Sequence, residues 1–591
     1  MKLWPIAVSV PALLSGCATL PPPPTIAPIV AEVPAPAPVA SFDVLIRGGT
    51  IYDGSGGAAY VGDVGISGDR IIYVGPSQAA TAARVVDARG MAVAPGFINM
   101  LSWSTESLMV DPRGQSELRQ GITIEVMGEG WSMGPLTDEM KLLAVKQQGD
   151  VKFPIEWTTL GDYLNFLQRK GTSLNIASFV GATTVRQHEL GEGDVDPDPA
   201  QLGRMRGLVR QAMEEGAMGV GSSLIYPPAS FAETDELVAL VTEAGKCGGM
   251  YISHMRSEGD RLVESVDELI DISRRSGAPA EIYHLKQAGR ANWSKLDQVI
   301  AHVEAARAAG LRITADMYTY TAGGTGVAAS MPPWVQDGGV AAMLKRLKDP
   351  ATVARIKREM GQPGSNWENL FFHAGPDGIL LVSVAEPSLK PLIGKTIGEI
   401  AKLRGVAPEQ AVIDLVRADE GRSGAIYFLM NEDNVRRQTA IPWVSFGSDA
   451  EASAPEGVFL KSSTHPRAYG NFARFLGKYV RDEQTATLAD AIRRLTSLPA
   501  SNLGIKDRGR LAPGMAADVV LFDPATIADH ATFEQPMQYA TGVRDVFVNG
   551  VEVLKGGEPT GATPGRFVKG PGWTGWPDGG ACRTKLGGTP G

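Results

Sequence analysis

The sequence lacks basic runs and long apolar runs, and it contains little histidine or cysteine. The formal net charge is −9, and the absence of a basic run argues against nucleic acid as a partner. The one marked apolar stretch, at the N-terminus, is too short to cross a bilayer as a mature helix. With 43% apolar and 20% charged residues in 591, the composition indicates a globular protein with room for a large domain and a smaller one.

The N-terminus predicts a bacterial lipoprotein. Lys2, the run "LWPIAVSVPALL" and the box "LSGC" are typical of a lipoprotein signal peptide over residues 1–17. Cys17 is then expected to be the lipid-modified first residue of the mature chain, which anchors the protein to a membrane without spanning it. Residues 18–41, rich in Pro and Ala, predict an extended linker. Ala18 after the cysteine favours the outer membrane of a Gram-negative bacterium, with the protein facing the periplasm. A signal peptide with a chance cysteine is the alternative.

Only Cys247 and Cys582 remain among the 3 cysteines. In an oxidising compartment they could form a disulfide. The sequence equally allows one buried thiol and one cysteine on a loose tail.

The pattern of strands and helices predicts an α/β fold. Short alternating strands with glycine turns fill residues 42–95 and 506–570, and we expect these two segments to form one composite β-sandwich. Between them strands alternate with amphipathic helices, which predicts a TIM-like (β/α)8 barrel over 96–505. Residues from about 336 to 425 fit this alternation less well and are interpreted as an insertion, while 571–591 are interpreted as a flexible tail.

Polar side chains stand at four predicted strand ends, which converge on one mouth in a β/α barrel. These residues are Glu125 and Glu129 on one strand, then His254, His284 and Asp449. Two imidazoles and a carboxylate around an open position suit a catalytic Zn²⁺, which lowers the pKa of a bound water to roughly 7. Asp449 could take the proton of that water and pass it to a leaving amine. With only 7 histidines in the chain, two at equivalent points of successive units indicate a site.

The chain resembles the D-aminoacylase (N-acyl-D-amino-acid deacylase) branch of the amidohydrolase superfamily from about residue 43 to 570. The stretches that carry the resemblance are "VAPGFI", "EEGAMGVGSSLIYPPASFAETDEL", "GGMYISHMRSEGD", "YHLKQAGRANW", "SDAE", "THPRAYGNFARFLGKYVRD" and "DRGRLAPGMAADVVLFDP". The resemblance implies a barrel with a small β-sandwich, zinc, and hydrolysis of an amide on a D-amino acid. It also implies that His254 and His284 are metal ligands and that Asp449 is the general acid/base.

The resemblance assigns three further residues to the substrate. Lys286 and Arg467 match residues that bind the substrate carboxylate, and Tyr226 matches a tyrosine that lines the pocket. An Arg fork can bind a carboxylate bidentately and a Lys supplies a point charge.

Two departures from the family are visible. In "MAVAPGFINMLSWS" (91–104) the family's His-x-His positions hold Leu101 and Trp103, which offer no metal ligand. The family's bridging cysteine is replaced in "GEG", where Glu129 stands nearest, with Glu125 as the alternative. We interpret the first departure as loss of a second, weaker metal site, which leaves about one zinc per chain. Trp103 either walls the pocket and selects an apolar acyl group or only fills space.

The sequence therefore predicts a lipid-anchored zinc amidase that converts a small N-acyl-D-amino acid into a carboxylic acid and a free D-amino acid. One alternative is an inactive barrel that serves as a binding protein, because the His-x-His pair is missing. The other is an enzyme for a cyclic amide or a dipeptide ending in a D-residue. The oligomeric state is left open.

Overall fold

The computed structural model describes residues 40–364 and 366–582. The predicted signal peptide, Cys17, nearly all of the linker and residues 583–591 lie outside the described residues. Within the described ranges, no helix combines the length and the apolar character needed to cross a membrane.

The described chain contains 21 strands. They are β1 Ala40–Ile51, β2 Tyr60–Ser67, β3 Arg70–Gly75, β4 Ala80–Asp87, β5 Ala92–Pro95, β6 Phe97–Asn99, β7 Ile122–Met127, β8 Asn175–Ser178, β9 Val180–Gly181, β10 Gly219–Ser223, β11 Met250–His254, β12 Ala280–Ile282, β13 Ile313–Met317, β14 Ala322–Gly326, β15 Ile379–Ser383, β16 Gly424–Phe428, β17 Val444–Phe446, β18 Val519–Phe522, β19 Val543–Val548, β20 Val551–Lys555 and β21 Glu558–Pro559.

The same residues form 18 α-helices. They are α1 Ser107–Val110, α2 Gln115–Leu118, α3 Asp138–Gln147, α4 Leu160–Lys170, α5 Ala182–Leu190, α6 Pro199–Glu215, α7 Thr234–Lys246, α8 Leu262–Ser276, α9 Leu296–Ala308, α10 Gly339–Arg346, α11 Pro350–Met360, α12 Leu370–Ala374, α13 Ile397–Arg404, α14 Pro408–Ala418, α15 Glu432–Thr439, α16 Arg467–Arg474, α17 Leu488–Leu495 and α18 Ser497–Asn502.

Local sequence signals set the ends of the long helices. Asp198 caps α6 by accepting hydrogen bonds from the backbone N–H groups of Ala200 and Gln201. Pro199 fits the first helical position, because a backbone N–H at that position would have no intrahelical acceptor. Gly216 ends the same helix with a left-handed backbone. These caps define both ends of α6, the helix that leads into strand β10.

Strands from both ends of the chain form one small β-domain. Its nine-stranded sheet runs in the order β21-β20-β19-β18-β5-β1-β2-β3, with β4 paired to β1. The two segments meet at β5, which pairs in parallel with β1 and antiparallel with β18. Residues from both segments share one buried core, including Ile51, Val64, Val519 and Phe547. The N- and C-terminal segments therefore depend on each other for their core.

The central domain is a closed barrel of parallel strands. Strands β6, β7 and β8 pair in one run, and β9 to β13 continue to β17 in another. Strands β8 and β9 are separated only by Phe179 and occupy one strand position. The Met100 N–H donates to the Phe446 carbonyl over 3.1 Å, and Ser102 and Ala450 form a parallel bridge, which closes the barrel between β6 and β17. The predicted fold class is confirmed.

An insertion separates β13 from β17. It has its own antiparallel sheet in the order β14-β16-β15 and its own buried core, which includes Val327, Ile379 and Tyr427. The insertion begins at β14, near residue 322, and its sheet ends at residue 428, so it is longer than the predicted 336–425. The sequence of β14, "AGGTG", has no apolar alternation and gave no strand signal.

The predicted flexible tail is wrong for residues 571–582, which pack against the barrel. Cys582 is buried and forms a disulfide with Cys247, which follows α7. The rings of Trp573 and Trp576 meet edge to face 5.1 Å apart, and the Trp576 indole donates to the Gly570 carbonyl. A segment rich in Gly and Pro has no helical or strand periodicity, so its packing could not be read from the sequence.

Candidate active site

The predicted site residues come together at the carboxyl ends of the barrel strands. His254 ends β11, His284 lies two residues after β12, and Glu129 and Asp449 follow β7 and β17. His284 and Asp449 both have left-handed backbones, with φ of 34° and 50°, a strain of about 1–3 kcal/mol each for residues other than glycine. The surroundings fix these conformations. Asp316 accepts from the His284 N–H over 2.9 Å, and the Leu101 carbonyl accepts from the Asp449 N–H over 2.9 Å.

Glu129, His254 and His284 form a buried cluster of potential metal ligands. Glu129 Oε1 lies 3.0 Å from His254 Nδ1 and 3.1 Å from His284 Nε2, and the three ligand atoms lie within 4.8 Å of one another. Burial alone would raise the pKa of Glu129, but its hydrogen bonds to the two histidines outweigh burial and lower it. Two imidazole nitrogens and one carboxylate oxygen make a three-ligand set with a position left for water or substrate. These residues fit a divalent metal ion.

Glu258 holds the far side of both histidines. Its Oε1 lies 2.9 Å from His284 Nδ1, and its Oε2 lies 3.5 Å from His254 Nε2. Burial opposes ionisation of Glu258, but the charges of His254, Lys286 and His284 lower its pKa. A carboxylate behind a ligating histidine fixes the ring orientation and leaves the near nitrogen for the metal.

Glu125, the alternative carboxylate, lies elsewhere in the barrel. It is fully buried and accepts from the Asn99 side chain over 2.9 Å. Burial raises its pKa to about 7. The structure thus places Glu129, and not Glu125, beside the two histidines.

The residues at the missing His-x-His positions have different environments. Leu101 is fully buried in the apolar core. Trp103 lines the cavity, and its indole Nε1 donates to Glu129 Oε2 over 2.9 Å and to Asp449 Oδ1 over 3.1 Å. An indole N–H is a donor only, so Trp103 cannot ligate a metal ion.

Asp449 lines the same cavity as the histidines and is paired with Arg467. Asp449 Oδ2 is 2.7 Å from Arg467 Nη1, and both side chains are nearly excluded from solvent. Burial raises the pKa of Asp449, Arg467 opposes this effect and Glu129 adds to it, so the net shift is upward. Asp449 is therefore a carboxylate whose proton affinity is higher than that of an exposed aspartate.

Lys286 and Tyr226 also lie on the cavity wall. Lys286 Nζ is 2.7 Å from Glu258 Oε1, so the ammonium is already ion-paired. Burial would lower the pKa of Lys286, but Glu258 outweighs it and the pKa is raised. The Tyr226 ring meets the His254 ring edge to face at 5.2 Å. Tyr226 therefore packs directly behind a metal-ligand candidate.

Sequence reasoning missed Glu258 and Tyr318. Glu258 lies four residues after His254 in the same quoted motif, a spacing that could have drawn attention to it. Tyr318 directly follows β13, the position that polar site residues take on neighbouring strands. The Arg467 guanidinium lies 4.5 Å from the centre of the Tyr318 ring, and the Tyr318 hydroxyl is buried without a hydrogen-bond partner among the described residues. Tyr318 therefore offers a free polar group beside the two cations.

These residues surround one cavity of about 790 Å³. The barrel contributes the polar residues described above. The insertion contributes the opposite wall, including Ser383, Gly424 and Tyr427. A cavity of this size, with a few converging polar groups, is typical of a site for a small molecule.

A closed β/α barrel with two histidines, a carboxylate and a separate buried aspartate at its mouth defines a metal-dependent hydrolase by class. The comparison with known families agrees. The model of the amidohydrolase family matches residues 84–554, and the chain belongs to this family.

Relatives that are about one third identical over nearly their whole length include a D-aminoacylase and an N-acyl-D-glutamate deacylase. The chain is 32% identical to the D-aminoacylase of Alcaligenes xylosoxydans xylosoxydans over 531 residues, covering 89% of this chain and 97% of the relative. It is also 32% identical to the N-acyl-D-glutamate deacylase of the same organism, covering 89% and 96%. The predicted family resemblance is confirmed, and so is membership among hydrolases of amide bonds.

Solved structures give the same result. A D-aminoacylase, described by its binuclear metal centre with one-metal activation and second-metal attenuation, superposes with a TM-score of 0.74 at 30% identity, covering 89% of this chain and all of that one. The N-acyl-D-glutamate deacylase from Bordetella bronchiseptica, solved with zinc and a phosphonate mimic of the tetrahedral intermediate, gives 0.73 at 29% identity, covering 90% of this chain and 100% of that one.

Proposed function

We propose that this protein hydrolyses the amide bond of N-acyl-D-amino acids and releases a carboxylic acid and a free D-amino acid. The observation that carries the proposal is the cluster of Glu129, His254 and His284, which lines one cavity together with Asp449. Three relatives that are 31–32% identical and covered to 95% or more are named for reactions of this class. The substrate is accordingly a small molecule that carries a free carboxylate.

Glu129, His254 and His284 would hold one Zn²⁺ per chain. When bound there, the ion polarises the amide carbonyl and lowers the pKa of a water to roughly 7. Leu101 and Trp103 offer no ligand for a second ion. The solved D-aminoacylase described as activated by one metal and attenuated by a second supports an active enzyme with one.

Asp449 moves the proton. Its carboxylate takes a proton from the attacking water and delivers it to the nitrogen of the leaving D-amino acid. Its raised pKa favours the first of these steps, because the carboxylate accepts a proton more readily than an exposed aspartate would.

Arg467 and Lys286 bind the carboxylate of the substrate. Arg467 Nε and the Tyr318 hydroxyl are buried without hydrogen-bond partners among the described residues, and unpartnered buried donors are costly. Arg467 and Tyr318 both line the cavity, and the guanidinium lies 4.5 Å from the centre of the Tyr318 ring. A substrate carboxylate bound between them would supply the missing acceptor. Lys286, already paired with Glu258, adds positive charge nearby.

The protein acts from a lipid anchor at Cys17, on the periplasmic face of the outer membrane. The "LSGC" box motivates this part of the proposal. The Cys247–Cys582 disulfide supports an oxidising compartment. Metabolic labelling with a palmitate analogue tests it. Label should enter the wild type and not Cys17→Ser, and label retained by Cys17→Ser would refute the anchor.

An inactive binding barrel remains the rival function, motivated by Leu101 and Trp103. Five polar side chains that line one cavity argue against it, and two of them, His284 and Asp449, have strained backbone conformations. The five are His254, His284, Lys286, Asp449 and Arg467. A cyclic-amide or dipeptide hydrolase is the second rival, and it predicts faster cleavage of a cyclic amide, or of a dipeptide ending in a D-residue, than of a simple N-acyl-D-amino acid.

The first test is metal content and activity of the untagged protein, purified without added metal. We expect about one zinc per chain and hydrolysis of N-acyl-D-amino acids with no activity on the L-enantiomers. His254→Ala should lose both metal and activity. His302→Ala is the matched control, because His302 is partly exposed and pairs with Asp267 outside the cavity. A wild-type protein that takes up no metal when zinc is supplied, and cleaves nothing, would establish the binding protein instead.

A further inference from the structure

The tryptophan at a missing histidine position makes two specific contacts in the site. Trp103 shares one indole N–H between Glu129 Oε2 and Asp449 Oδ1, at 2.9 and 3.1 Å. We infer that Trp103 is a positioning residue that sets the orientation of both carboxylates through this shared hydrogen bond. The inference rests on the proposed function, since it assigns Glu129 to the metal and Asp449 to proton transfer.

Each carboxylate divides its two oxygens in the same way. Glu129 uses Oε1 for the two histidines and Oε2 for Trp103. Asp449 uses Oδ2 for Arg467 and Oδ1 for Trp103. With both oxygens engaged, neither carboxylate can rotate about its terminal bond without losing a hydrogen bond or ion pair. The oxygens turned toward Trp103 are also the ones that would otherwise face each other as like charges, and a shared donor between them offsets that repulsion.

The backbone holds the indole in place between the two strands that carry the carboxylates. The backbone N–H of Trp103 donates to the backbone carbonyl of Ala450 over 2.9 Å, and Ala450 directly follows Asp449. The Ser102 N–H donates to the Val126 carbonyl of β7 over 2.8 Å. This segment therefore connects the strand before Glu129 with the strand before Asp449, and the indole N–H points into the gap that separates their side chains.

The exposure of Trp103 indicates a role other than core packing. The side chain is 37% exposed and lines the cavity, whereas neighbouring Leu101 is fully buried in the core. A residue that only filled space would have no need of its polar N–H. A donor that meets two carboxylates at hydrogen-bonding distance accounts for an indole at this position.

Trp103→Phe tests the inference, because it removes the N–H and keeps most of the ring. Outer-shell hydrogen bonds to a metal ligand contribute roughly 10- to 100-fold in metal affinity or activity. We expect the Kd for zinc, measured by competition with a chelator, to rise about 10-fold. At saturating zinc, kcat on an N-acyl-D-amino acid should still fall by about 10-fold or more while KM changes less than about 2-fold, since the ring wall is kept.

The control is Trp576→Phe. Trp576 has the same 37% exposure and also donates one indole hydrogen bond, to the Gly570 carbonyl, but it lies outside the cavity. Its zinc Kd and kcat should equal those of the wild type. Equal values for Trp103→Phe as well would overturn the inference.

A double-variant comparison separates positioning from general damage. If Trp103 acts on turnover through Asp449, Trp103→Phe should lower kcat far less in an Asp449→Asn background than in the wild type. An equal fold-loss in both backgrounds would contradict the inference. If neither the wild type nor any variant cleaves an N-acyl-D-amino acid, the proposed function fails. The zinc titration then tests the positioning role of Trp103 alone. An unchanged Kd for zinc in Trp103→Phe overturns that role, and a raised Kd supports it.

Discussion

Asp449 and Arg467 form a buried ion pair, with 2.7 Å between Oδ2 and Nη1. The sequence motifs assign these residues to different tasks, proton transfer and substrate binding. The structure places them in contact, so the residue that would bind the substrate carboxylate also tunes the proton affinity of Asp449. A change at either one is expected to affect both tasks.

Asp449→Asn should retain about one zinc per chain and lose activity by about 10²- to 10⁴-fold. The amide has nearly the same shape but cannot take up the proton of the attacking water. Metal analysis measures the retained zinc, and single-substrate kinetics measure the loss of activity. Asp267→Asn, whose side chain is exposed on α8, is the matched control and should be fully active. A fully active Asp449→Asn would rule out the assigned role.

Arg467→Met should shift the acidic limb of the kcat profile to higher pH. The sign follows from the structure: Arg467 lowers the pKa of Asp449 against the effect of burial, so its removal raises that pKa. Because the ionised form of Asp449 accepts the proton, activity is lost as pH falls, and it is lost sooner in the variant. KM should rise as well, since a ligand of the substrate carboxylate is gone.

The comparison for Arg467→Met is Arg436→Met, which removes an arginine paired with Asp433 and Glu483 outside the cavity. Its profile should overlay that of the wild type. An acidic limb that stays in place in Arg467→Met would mean that the ion pair does not govern Asp449.

Glu258→Gln should weaken zinc binding by roughly 10- to 100-fold, the range found for carboxylates behind metal-bound histidines. The neutral amide loses the charge that attracts the far nitrogen of His284, and it leaves Lys286 without its counter-ion. Chelator competition measures the Kd. Glu268→Gln disturbs an ion pair with Arg256 and a hydrogen bond from Thr234, and Glu268 does not line the cavity. This control should leave the Kd unchanged, and an unchanged Kd in Glu258→Gln would remove Glu258 from the site.

Glu281→Gln should flatten the pH dependence of stability. Burial raises the pKa of Glu281 from 4.5 to about 7. A raised pKa in the folded state means that its contribution is fully present below pH 4.5 and is lost as pH rises through about 7. Gln stays neutral, so the fall in unfolding free energy over this window should shrink. Denaturant unfolding at pH 4.5, 6 and 8 measures it, and an unchanged slope would show that Glu281 is ionised in the folded protein.

Reduction of the Cys247–Cys582 disulfide should destabilise the folded protein by about 2–5 kcal/mol, because the bond closes a very long loop. The sequence separation is 335 residues. Guanidinium unfolding with and without reductant measures the difference. Cys247→Ser should lose the same stability and no longer respond to reductant. Equal stability in both redox states would contradict a structural disulfide.

Much of the fold could be predicted because its signals are local. Alternating β and α periodicities indicated the barrel, and strand-like segments at both ends indicated the shared β-domain. The start of the insertion could not be predicted, since β14 has the sequence "AGGTG" and shows no apolar alternation. The packing of residues 571–582 was missed for a similar reason: it depends on a disulfide and on paired tryptophans rather than on periodicity.

The amino-acid pattern alone identifies the chemistry-bearing residues that stand at strand ends, and a parallel barrel brings all those ends to one mouth whatever its side chains do. His254, His284 and Asp449 could be selected on that basis. The contacts between individual atoms depend on the folded chain: Glu129 rather than Glu125 lies beside the histidines, Glu258 lies behind them, and the Trp103 indole lies between two carboxylates. Those choices depend on loop conformation and side-chain rotamers over long sequence separations, and such contacts leave no periodic trace along the chain.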